Sequence, residues 1–123
     1  DNYLSAEGIE KNIDWETLNA EIIHVCYNGT SAIEAMKKEP ADLIISDIEM
    51  PDLDGISMSR QALEINPMVK IILISAYDKF EYARRALLLG ALDYIEKPLD
   101  YAYLIQKVKN AFALKRNRKI SSF

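Results

Sequence analysis

The residues best placed to do chemistry fall in one stretch, ADLIISDIEMPDLDG (41–55), where an apolar run of strand length ends in an aspartate and a turn-rich acidic loop. Leu43, Ile44 and Ile45 are consecutive and apolar, which suits a strand buried on both faces of a parallel sheet, and a helix-like pattern starts near Ile56. This β-loop-α unit puts Asp47 at the carboxyl end of a strand. In open α/β sheets that edge collects ligands, because the loops fan outward there and helix N-termini point at the crevice. A carboxylate so placed can be a nucleophile, a metal ligand or both; it can equally do no more than cap the turn that follows. A second run, KIILIS, ends at Ser75, and since parallel strands end on one side, its hydroxyl faces the same edge as Asp47.

The elements that must position these groups alternate. Leu4, Ile9 and Ile13 share one helical face over 4–13, with Trp15 packing under its end, and 20–26 reads as a strand. His24, the only histidine, has no partner in a catalytic or zinc-binding frame and reads as structural. Ser31 and Glu34 have capping-box spacing, so a helix runs to about Lys38 and stops before Pro40. Residues 55–65 form a helix ended by Asn66-Pro67, and 79–89 form another, with Phe80, Ala83 and Leu87 aligned and Gly90 as its C-cap. ALDYIEKPLD supplies a short strand and a Lys-Pro corner. The last helix spans 101–114, capped by Asp100, with Leu104, Ile105, Val108, Ala111 and Phe112 on one stripe. The basic tail KRNRKISSF reads as a solvated linker.

Composition narrows the function. A chain of 123 residues, 50% hydrophobic and 28% charged, suits one domain with a proper core. Its net charge of -4 argues against binding nucleic acid or an anionic membrane by this segment itself. The single cysteine, Cys26, excludes an internal disulfide and fits a cytoplasmic setting, and no run approaches a membrane span. Strands alternating with helices imply an α/β, doubly wound (flavodoxin-like) parallel sheet with helices on both faces.

IISDIEMPDLDG, ILISAYD and DYIEKPLD, in this order and spacing, resemble the receiver domain of bacterial two-component response regulators over residues 1–114, with 115–123 starting a linker to an effector domain. KNIDW and YDKFEYARRAL further resemble receivers that precede AraC-type DNA-binding domains. The resemblance implies that Asp47 accepts a phosphoryl group from a sensor histidine kinase, that Lys97 pairs with phosphoryl oxygens, that Ser75 follows the phosphoryl group and that Tyr94 is a switch aromatic. It implies Mg²⁺ held by Asp1, Asp47 and the backbone carbonyl of Glu49. It also implies a homodimer face over residues 77–106, DNA contact only through another domain, and no enzymatic activity beyond slow autodephosphorylation.

The sequence departs from the family at its front. Asp1 aligns with the second acid of the family's acidic pair, so the first acid and first strand are absent, leaving four strands where five are normal. The family's first strand is central, and its absence would hold two strands at twice the ~4.8 Å pairing distance with unpaired backbone groups on both sides. Three resolutions are open: a leading segment outside this sequence, rearranged strands, or another chain in the slot. Two alternative functions follow: a receiver-like interaction domain that takes no phosphate, or a haloacid-dehalogenase-like phosphohydrolase suggested by Asp47-Ile48-Glu49. The latter family uses Asp at the second acid and needs a longer chain.

Overall fold

The computed structural model describes residues 2–50, 52–75, 84–85, 88, 93–112 and 117–123. Helix α1 (Asn2–Asn12) leads through Trp15 and a turn at Asn19, whose φ of 52° an asparagine tolerates, into strand β1 (Ala20–Val25). Then follow α2 (Gly29–Lys38), β2 (Leu43–Asp47), α3 (Gly55–Ile65), β3 (Lys70–Ser75), β4 (Asp93–Glu96), α4 (Tyr101–Ala111) and β5 (Arg118–Ser122). The helix expected over 79–89 lies largely outside the described residues; Arg84, Arg85 and Leu88 are helical and exposed.

The strands form one sheet in the order β1-β5-β2-β3-β4, with every pair parallel. Two expectations are thereby corrected. The sheet has five strands, not four, and the tail assigned to a solvated linker supplies the fifth. Residues 118–122 enter between β1 and β2, pairing Ile22 with Ile120 on one side and Leu43 with Ile120 on the other. The slot is filled by the chain's own last strand, so β1 and β2 do not face each other across a gap. The driving force is backbone satisfaction: a parallel sheet opened at its centre would bury unpaired N–H and C=O groups along two edges.

Two apolar clusters flank the sheet. On one face Ile9 of α1, Ile13 just past its end, and Leu104 and Val108 of α4 pack with Trp15, Leu43, Ile45, Ile72 and Ile120. On the other, Ala32 and Met36 of α2 and Ile56, Met58 and Ala62 of α3 pack on Ile44, Ile71, Leu73 and Phe123. Trp15 lies under α1 as expected, its indole N–H donating to the Ile9 carbonyl at 3.1 Å. His24 is structural, its Nε2 2.7 Å from the Glu39 carbonyl oxygen. Cys26 is half-buried, which pushes its thiol pKa up.

Helix α2 starts earlier than the Ser31/Glu34 spacing implies. Its N-cap is Asn28, whose side chain accepts from the Ser31 N–H at 2.8 Å. Asp52 reaches over from the loop after β2 and accepts from the N–H groups of Gly29 and Thr30 at 2.8 and 3.1 Å. Two carboxamide and carboxylate caps therefore divide the orphan donors of one helix end. Asp100 caps α4 as expected, but that helix ends at Ala111 rather than 114.

Candidate functional site

Asp47 stands at the carboxyl end of β2, buried to within 3% of full enclosure, where the chain turns outward. Its backbone is held from both sides of the sheet. The Asp47 N–H donates to the Phe123 carbonyl at 3.1 Å, and the next amide, Ile48 N–H, donates to the Ile74 carbonyl at 2.9 Å. The loop that follows closes through Gly55, whose N–H donates to the Ile48 carbonyl at 2.7 Å. A Cβ on Gly55 would overlap the backbone of Asp47 and Ile48, so this close return requires glycine. Asp54 then caps α3, accepting from the Ser57 N–H at 2.8 Å.

Lys97 follows β4 and brings its ammonium to Asp47, with Nζ 2.5 Å from Oδ2. The lysine backbone is anchored as well, its N–H donating to the Ser75 carbonyl at 2.7 Å. Ser75, fully buried at the end of β3, lies one strand over from Asp47, whose register partner is its neighbour Ile74. Three groups singled out in the sequence thus meet at one sheet edge, although Asp47 and Lys97 are 50 residues apart. Tyr94, in β4 beside Leu73, is half-buried against the cluster formed with α2 and α3. Lys107, one residue beyond the face expected to dimerise, is ion-paired to Asp93 at 2.9 Å, which together with the Tyr103 side chain raises its pKa.

The oxygen donors fit a hard divalent cation. Asp47 keeps Oδ1 turned from the lysine, 3.3 Å from the Glu49 N–H, and the Glu49 main chain follows at the loop start. One carboxylate with a carbonyl is a donor set that Mg²⁺ accepts, since it retains water and takes phosphate oxygens for the rest. Asp1 lies outside the described residues. Among the described residues no three His, Cys, Asp or Glu side chains are gathered as a closed metal cage.

The sequence reasoning missed what lies on the other flank of Asp47. There β5 ends with Ser122, whose hydroxyl donates to the Ala6 carbonyl at 3.0 Å, and with the buried Phe123. The available signal was the odd strand count itself, which demanded an occupant for the slot.

The sheet is a doubly wound parallel one that presents a buried strand-end carboxylate paired to a lysine just past the strand two places over. The response regulator receiver domain model matches residues 1–109, and the chain belongs to that family. It is 31% identical over 117 residues to the uncharacterized transcriptional regulatory protein YesN of Bacillus subtilis, covering 94% of this chain and 32% of YesN. The receiver domain of AraT, a response regulator from Geobacillus stearothermophilus, superposes with a TM-score of 0.79 at 34% identity, covering 85% of this chain and 81% of that one. A Borrelia burgdorferi CheX–CheY complex with BeF₃ and Mg²⁺ matches at TM-score 0.65 and 33% identity, over 70% and 66% of the two chains. The chain therefore spans about a third of the length of YesN, a transcriptional regulator.

Proposed function

We propose that this chain is a phosphorylation-controlled receiver in which Asp47 takes a phosphoryl group from a phosphohistidine of a sensor kinase. The observation that carries this reading is the ion pair of Asp47 with Lys97 at the edge where Ser75 also ends. A carboxylate oxygen attacks phosphorus, the P–N bond breaks, imidazole leaves with its electron pair, and an acyl phosphate remains on Asp47. Such a transfer needs charge neutralisation and positioning more than covalent help. Lys97 supplies a fixed ammonium for the phosphoryl oxygens, and its backbone tie to Ser75 keeps the two in register. The Asp47 Oδ1 and the Glu49 carbonyl, with Asp1, would hold Mg²⁺, which when bound supplies further neutralisation of phosphoryl charge. Ser75 then contacts the phosphoryl group, and half-buried Tyr94 changes position with it, biasing a two-state face over residues 77–106 toward a dimer or partner. The output is transcriptional, through an attached DNA-binding domain of AraC type, in the cytoplasm, with at most slow autodephosphorylation.

Incubation with acetyl phosphate and Mg²⁺ tests this reading: base-labile phosphate is expected on the chain and lost in Asp47→Asn, with the circular dichroism spectrum retained. Incorporation that survives Asp47→Asn removes the assignment. A second reading, an interaction domain that takes no phosphate, is favoured by Phe123 standing where β5 ends beside Asp47. Absence of incorporation in the unaltered protein would select it, and steady release of inorganic phosphate would select a hydrolase.

A further inference from the structure

We propose that the end of the sheet opposite Asp47 holds a binding site for a small organic monocarboxylate with an apolar body. A cavity of about 390 Å³ opens there, within the range of small-molecule sites. Its walls follow from the topology. Arg118 and Lys70 begin β5 and β3, the two strands that flank β2, and Asp42 lies just before β2 between them. Phe112, the C-cap of α4, brings its ring to both cations: Arg118 Cζ lies 4.5 Å and Lys70 Nζ 5.7 Å from the ring centroid.

Two observations say what the cavity would take. The first is charge. Neither Lys70 nor Arg118 is ion-paired to a carboxylate among the described residues, and Arg118 Nε is buried without a hydrogen-bond acceptor among them. A guanidinium drawn partly out of water and given no anion carries a desolvation cost that a bound carboxylate would offset. Asp42 does not serve, because its Oδ2 accepts from the Lys119 N–H at 2.8 Å. Asn66 is likewise committed: its amide nitrogen donates to the Ala41 carbonyl and its Oδ1 accepts from the Met68 N–H, both at 3.1 Å. Two cations against one fixed carboxylate leave a single net positive charge, which matches a monocarboxylate better than a dianion such as phosphate. The second observation is the apolar wall. Phe112 and the exposed Met68 line the cavity beside the cations, so an apolar group next to the carboxylate buries surface that an inorganic anion would leave in water. One ligand would then join β3, β5 and the end of α4. The site stands or falls independently of phosphorylation at Asp47.

The probe is hydrocinnamate, titrated into the isotope-labelled chain and followed by amide chemical shifts. Saturable shifts are expected at Lys70, Phe112 and Arg118. The neutral hydrocinnamamide should bind about tenfold more weakly for want of the charge, and inorganic phosphate more weakly than hydrocinnamate for want of the apolar body. Lys70→Met and Arg118→Met keep apolar stems and each remove one cation; each should weaken hydrocinnamate about tenfold with the circular dichroism spectrum retained. Should Arg118→Met fail to fold, Lys70→Met decides, since its ammonium holds no ion pair in the fold. No saturable shift, shifts centred on other residues, equal affinity for the acid and its amide, phosphate binding as tightly as hydrocinnamate, or unchanged affinity in Lys70→Met each overturns the site.

Discussion

Strands β2 and β5 lie side by side at the centre of the sheet, share backbone hydrogen bonds, and reach the same edge, yet their side chains could hardly differ more. In β2 every residue from Leu43 to Asp47 is buried, with Ile44 in one cluster and Leu43 and Ile45 in the other. In β5 the sequence is Arg-Lys-Ile-Ser-Ser. Arg118 survives at the strand's start by lying 4.5 Å from the Phe112 ring, and Lys119 by pairing with Glu39 at 2.8 Å while its N–H donates to the Asp42 carboxylate. A central position thus demands backbone pairing on both sides but tolerates polar side chains where they are small or can snorkel. The two ends of the sheet differ in the same way. The Asp47 edge gathers a carboxylate, a lysine and a serine, while the opposite end, lined by Asp42, Asn66, Lys70, Phe112 and Arg118, sets the cations of Lys70 and Arg118 over the Phe112 ring.

The largest effect that could break this comparison is loss of β5. Truncation after Phe112 should abolish cooperative unfolding by circular dichroism, because β1 and β2 would be left with buried open edges. A sharp melt in the truncated chain would mean the strand is dispensable. Next in size is Lys97→Met, which leaves the buried Asp47 carboxylate without its cation. A loss of about 3 kcal/mol is expected from breaking one partner of a buried pair. In Lys97→Met/Asp47→Asn most of that loss should vanish, and both variants should fail to incorporate phosphate at the normal rate. Equal melting points for Lys97→Met and the unaltered protein would remove the charge argument.

A smaller effect separates the two serines of β5. Ser121 Oγ is buried with no hydrogen-bond partner among the described residues, so Ser121→Ala should be neutral or stabilise by up to ~1 kcal/mol; Ser122→Ala strands the Ala6 carbonyl and should cost ~1 kcal/mol. Denaturation midpoints that order the two variants the other way would show that the strand is placed differently.

The same contrast explains what was legible in the sequence. Consecutive apolar residues announce β2 and β3, and the aspartate and serine at their ends stand at the edge the strand reading predicted; Lys97, which only the resemblance brought there, joins them. Helix α4 and its Asp100 cap were equally readable, because capping and amphipathic spacing are local signals. Strand β5 was not, since RKISS carries the hydropathy of a tail, and its placement is decided by hydrogen-bonding partners 75 and more residues away. The N-cap of α2 was misplaced for a related reason. Part of its capping comes from Asp52, which no window around Ser31 contains.

Asp52 also provides the smallest and sharpest test of how the β2 side of the sheet is fastened. Its hydrogen bonds, first with the Thr30 side chain and then with the N–H groups of Gly29 and Thr30, hold its carboxyl below the ordinary carboxylate range. A depressed folded-state pKa contributes stability that is fully present above the unfolded value and is lost as pH falls through the folded one. On the β5 side Glu39 behaves alike, its pKa lowered chiefly by the hydrogen bond with Lys119. Both fastenings should therefore weaken on acidification from about pH 4 downward. Asp52→Asn keeps the shape and removes the titration, so the melting temperature of this variant should fall less steeply with acid than that of the unaltered protein. Glu39→Gln should flatten the same limb by loosening Lys119, and because that pair is a surface ion pair, its share should shrink in high salt while the Asp52 share persists. If the Asp52→Asn slope parallels the unaltered protein below pH ~4, the carboxylate does not fasten the loop to α2.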